Sequence, residues 1–173
     1  VADWFVKRPY HFGASHMLTR RMLELNALHP QLNAEDQCLM FRALLMGGAL
    51  RVDKPLVKHR QNGVSYKAKP ATYALKKAKL IKDAQAALIE SEQMLVDAAC
   101  LKREGECAGY LQKNIDAQNY VLKVLTATAW LEKWRALTGA LSVSWGKRLR
   151  FFSYAALPWV YQPGMWLKSV LKR

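Results

Sequence analysis

Apolar residues recur every three to four positions along two long stretches of the chain. From Pro70 onward, Tyr73, Leu80, Ala84, Ala87, Leu88, Ser91, Leu95 and Ala98 fall on one stripe that reaches about Leu101, while Lys76, Lys77, Lys79 and Lys82 fall mostly elsewhere. That spacing predicts one long helix. A polar turn at Lys102-Arg103-Glu104-Gly105-Glu106 leads into a second, from about Cys107 to Leu137, with Leu111, Ile115, Leu122, Leu125 and Ala129 to bury. The two are expected to pair as an antiparallel hairpin. Pro158 and Pro163-Gly164 divide the C-terminal stretch into short helices, at about Leu141 to Ala156 and Met165 to Lys172.

Before Pro70 the pattern is shorter and mixed. Trp4, Phe5, Val6, Tyr10 and Phe12 around Pro9 suit a loop entering a buried strand, and His11 to Leu18 runs through Gly13-Ala14-Ser15, where small side chains allow close approach. Thr19 can cap a helix to about Leu28, which His29-Pro30 stops. Asn33 is a good N-cap with Asp36 three residues on, as in a capping box, and Leu39, Phe41, Leu44 and Leu45 continue at helical spacing to Gly47-Gly48. Ala49 to Asp53 then reads as a short strand, and Pro55 to Arg60 brings His59 and Arg60 back near the acidic pair Glu35-Asp36.

Charge changes the picture. Lys and Arg number 27 against 13 acids in 173 residues, a net +14, which predicts attraction to membrane surface, nucleic acid or phosphate-bearing substrates. From Lys133 to Arg173 there are eight Lys or Arg, eight aromatics and no acid, which suits the headgroup level of an anionic bilayer. Nucleic acid is the less favoured partner, because no zinc-finger or RRM signature is present. Cys38, Cys100 and Cys107 contain no CxxC and are expected to be reduced and structural. No apolar run is long enough for a transmembrane helix. The expected location is cytoplasmic, peripheral on the inner face of the membrane.

Taken together, Gly13-Ala14-Ser15 with Leu18-Thr19-Arg20-Arg21, Glu35-Asp36, Arg42-Ala43, Gly47-Gly48, and Pro55-Leu56-Val57 with Arg60 form an ordered series. The series resembles the C-terminal half of the catalytic domain of inverting family-2 (GT-A type) nucleotide-sugar glycosyltransferases, over roughly the first 65 residues. The resemblance implies an α/β fold: the C-terminal part of a GT-A-like (Rossmann-like) domain over residues 1–66. A helical hairpin over 67–139 and a basic aromatic amphipathic tail over 140–173 complete the expected organisation. It implies sugar transfer with inversion to a glycan or lipid-linked acceptor, of the cell-envelope polysaccharide type. Asp36 would be the base, with Glu35 beside it, and Gly13, Ala14, Ser15 and Arg60 would bind substrate. A divalent metal, Mg or Mn, would be held mostly by residues outside this chain, with His59 as a candidate ligand.

The same residues also fit plainer roles. Asp36 can simply complete a capping box with Asn33, Glu35 can be a solvated first-turn acid, and Gly13 to Ser15 can be packing positions. Arg60 can be a strand-end cation paired with an acid. His16 and Arg42 read as structural. Aligned on Arg60, the family's histidine position falls on Asn62 and His59 takes a tyrosine position. The chain contains no Asp-x-Asp, no phosphate-binding glycine loop and no Gln-x-x-Arg-Trp. The expectation is therefore the acceptor side of a single-sugar transferase, inactive without a separate nucleotide-binding half. The alternative is a non-enzymatic basic helical module for anionic membrane or, as the weaker branch, nucleic acid.

Overall fold

The computed structural model describes residues 2–7, 17–33, 35–50 and 72–161. Every regular element among them is helical: α1 (Ala2–Lys7), α2 (Arg20–Leu23), α3 (Glu35–Leu45), α4 (Tyr73–Cys100), α5 (Ala108–Thr126), α6 (Trp130–Gly139) and α7 (Trp145–Ala156), with a single 3-10 turn at Glu104–Glu106. This overturns the expected α/β fold. No strand occurs among the described residues. Of the expected strand at Ala49 to Asp53, Ala49 and Leu50 carry no regular structure and Leu50 is fully exposed, so no buried face is formed there. The remainder of that stretch, and residues 11–16 of the other expected strand, lie outside the described residues.

The chain forms two compact units, each built from separated pieces. The first comprises Val1–Tyr66 and Ile89–Asn114, the second Lys67–Leu88 and Ile115–Arg173. In the first, Trp4, Phe41, Met94, Ala98 and Leu111 belong to one buried cluster. Phe41 meets Trp4 and Phe5 at 5.5 and 5.9 Å between ring centroids. In the second, Ala84, Val121, Val124, Ala136 and Tyr154 form the cluster.

Helix ends follow from local chemistry. Thr19 precedes only one turn, with bends over residues 24–26 where a helix to Leu28 was expected. Helix α3 begins at Glu35, and after it Gly47 and Gly48 take φ of +126° and +110°, letting the Gly48 amide donate back to the Ala43 carbonyl at 2.7 Å. Helix α4 closes in the same way without glycine: Lys102 takes φ of +54° and the Arg103 amide donates to the Ala98 carbonyl at 2.9 Å. The expected single helix from Cys107 to Leu137 is two. Thr126 and Thr128 are β-branched and weak helix formers, and the Glu132 carboxylate, in the first turn of α6, accepts from the amides of Thr128 and Ala129, each at 3.3 Å.

In the second unit α7 is tied on several sides. The Tyr73 hydroxyl donates to the Tyr154 carbonyl at 2.6 Å, the Tyr120 hydroxyl to the Arg148 carbonyl at 2.5 Å, and Arg148 Nη1 to the Leu137 carbonyl at 3.1 Å.

Candidate functional site

The acidic pair stands where α3 begins. Glu35 is exposed and Asp36 half-buried, and Asp36 Oδ1 accepts from the Gln37 amide at 3.0 Å. Both carboxylates lie in the first turn of α3. The rest of α3 is held hard: Cys38, Phe41, Arg42 and Leu45 are buried.

Arg42 is the strongest of these anchors. Its side chain and that of Asp97 on α4 are both 0% exposed. Arg42 Nε donates to Asp97 Oδ2 at 2.7 Å and Nη2 to Oδ1 at 2.8 Å, the two-pronged pairing that a planar guanidinium allows. The remaining reach of the fork goes to backbone, Nη1 to the Met22 carbonyl at 3.0 Å and Nη2 to that of Asn26 at 2.9 Å. Gln93 donates to Asp97 Oδ1 at 2.8 Å and accepts from the His29 amide at 2.8 Å. Buried charge is tolerable only when it is paired and saturated with hydrogen bonds. Here residues 22–29 and α4 supply the partners, and they fix the last turn of α3, where Arg42 lies.

Gly13, Ala14, Ser15, His59 and Arg60, together with His16 and Asn62, lie outside the described residues. Among the described residues no group of three His, Cys, Asp or Glu could hold a metal ion. A cavity of about 140 Å³ is lined by Phe5, Ser91, Met94, Tyr110, Leu111 and Asn114. It does not include the acidic pair, and it falls well short of the ~300 Å³ at which ligand pockets begin.

A second candidate surface lies on α6 and α7. Trp130, Leu131, Trp134, Trp145 and Leu149 are exposed there, and none of the described helices is long and apolar enough to cross a membrane. The sequence pattern places the amphipathic tail after residue 140 and treats Trp130 and Leu131 as part of the hairpin helix, so it misses their share of this surface. The signal that separates them is Glu132 following Thr-Ala-Thr-Ala, which marks a fresh helix start. Comparison with family models, curated proteins and solved structures returned no match.

Proposed function

We propose that this chain forms the acceptor side of an inverting sugar transferase, with Asp36 as the base. The supporting observation is a half-exposed carboxylate in the first turn of a helix whose last turn is locked by a fully buried ion pair. Proton abstraction needs a group held in place, ionised and reachable. Asp36 is half-exposed in the first turn of a helix anchored by its buried residues, and the order of motifs around it supplies the reaction class. In the step itself Asp36 takes the proton of the acceptor hydroxyl. The hydroxyl oxygen bonds to the anomeric carbon from the face opposite the leaving group, and the bond to the nucleoside diphosphate breaks. Glu35, exposed beside it, shapes the local field. Donor sugar and divalent metal would be held by polypeptide outside these 173 residues, since the chain has no Asp-x-Asp.

The acceptor is a glycan or lipid-linked glycan, and the protein works peripherally on the cytoplasmic face of an anionic membrane, a location supported by the net charge of +14. A non-catalytic basic module is favoured by a different observation, the exposed tryptophans of α6 and α7, and shares that location.

The experiment is sugar transfer by the assembled enzyme carrying Asp36→Asn or Glu35→Gln. Asp36→Asn is expected to lower kcat by about a hundredfold or more, in line with loss of a general base, and Glu35→Gln by far less. Wild-type turnover by Asp36→Asn would exclude the assignment.

A further inference from the structure

Trp130 and Trp134 stand one turn apart on α6, 55% and 49% exposed. Both meet Phe152 of α7 edge-on, with ring centroids 5.5 and 5.8 Å apart. Along α7, Trp145, Leu149 and Phe152 recur at i, i+4 and i+7, one face of a helix, and Trp145 is itself 54% exposed. Phe152 therefore joins the apolar rows of two helices into one patch.

Cations accompany it. The Arg148 guanidinium lies 4.6 Å from the centre of the Trp145 ring, and Arg135 and Arg150 are exposed on the same two helices. From Lys133 to the last residue the sequence holds no acid at all.

Charge selects the occupant. A second copy would set a chain of +14 against another, and self-repulsion opposes that contact. For a nucleic acid, successive bases need a row of open ring faces to stack on, whereas the Trp145 face carries Arg148. Tryptophans half in and half out of water beside Arg match the headgroup layer of an anionic bilayer, where ring bodies enter the acyl boundary and cations meet lipid phosphate. We infer that the α6–α7 face docks on an anionic lipid bilayer, with Trp130, Trp134 and Trp145 at headgroup depth and both helices lying in the interface. The inference rests on the peripheral location in the proposed function and is independent of sugar transfer.

The test is flotation of the full chain with mixed phosphatidylcholine and phosphatidylglycerol vesicles, compared with pure phosphatidylcholine, alongside tryptophan quenching by brominated lipid. The wild-type protein is expected to bind the mixed vesicles at least about tenfold more tightly than the neutral ones, with strong quenching. Trp134→Ala with Trp145→Ala is expected to weaken binding at least about tenfold at unchanged helical circular dichroism. Arg135→Gln with Arg150→Gln, both exposed positions, should weaken it about fivefold per charge. Failure to bind anionic vesicles would overturn both the docking face and the peripheral location. Binding that none of these substitutions weakens would leave the location standing and overturn the face. A dimer that forms without vesicle binding and is lost in the tryptophan variant would assign the face to a second copy. Turnover by Asp36 variants reads sugar transfer separately.

Discussion

Asp97→Asn is the sharpest probe of the buried pair. The substitution keeps the size and shape of the side chain, so no cavity contributes. It replaces one carboxylate oxygen by an amide that donates where Arg42 also donates. In the native protein Asp97 accepts from Arg42 Nε, Arg42 Nη2 and Gln93 Nε2, all within 2.8 Å, and neither charged side chain is exposed to water. The variant strands at least one guanidinium N–H and leaves a positive charge without its counterion. A buried unsatisfied donor costs ~1–3 kcal/mol, and removing one member of a buried ion pair ~3–5 kcal/mol. A loss of about 3 kcal/mol or more is therefore expected, against a total stability on the order of 5–15 kcal/mol. Urea titration followed by circular dichroism measures it, and hydrogen exchange of the α3 amides locates it. Urea is the better denaturant because it adds no ions. Insulated from solvent, the loss should also be nearly unchanged by added salt. The variant Arg42→Met with Asp97→Leu should recover part of the loss, since an apolar pair leaves no orphaned charge. If Asp97→Asn costs under ~1 kcal/mol, as expected for the exposed Lys79 and Asp83 pair, the clamp is not what holds α3.

Two further outcomes depend on single residues. Lys102 sits at φ of +54° in the cap of α4, a conformation that disfavours any side chain, so Lys102→Gly should raise stability by up to ~1 kcal/mol in the same titration. A loss of stability would mean that the lysine side chain contributes there. The Tyr154 hydroxyl is buried without a hydrogen-bond partner among the described residues, and burial, with Tyr73 and Tyr161 nearby, pushes it up to about 12 from its ordinary value near 10. The unfolded chain therefore ionises first. Stability from this group is complete below pH ~10 and is lost as pH rises toward about 12, a slope that Tyr154→Phe should flatten in alkaline unfolding curves. An identical slope in the variant would assign the alkaline loss to other groups.

What could be read from the sequence was whatever depends on near neighbours. The stripe from Tyr73 to Ala98 predicts α4 because a helix's own periodicity writes it, and the break at Lys102 to Glu106 falls where expected. The α/β expectation fails because short apolar runs such as Ala49-Leu50 fit a strand, a loop or a helix end equally, and only partners elsewhere in the chain decide. The polar side of α4 misleads for the same reason. Glu90, Gln93 and Asp97 lie off the apolar stripe, yet all three are buried. The partner of Asp97 is Arg42, 55 positions away, and nothing local announces it. Of the candidate site, the start of α3 was legible from its acids and the apolar positions beyond them. The anchoring that steadies it was not.

The hairpin of α4 and α5 is divided between both compact units, and this limits how the protein can be dissected. Residues 89–114 supply Met94, Ala98, Cys107 and Leu111 to the core that also contains Trp4 and Phe41. A gene cut after Tyr66, where the composition shifts, would part those side chains onto different products and leave Arg42 without Asp97. A fragment that isolates the first unit has to run through Asn114, and it carries Lys67–Leu88 of the second with it.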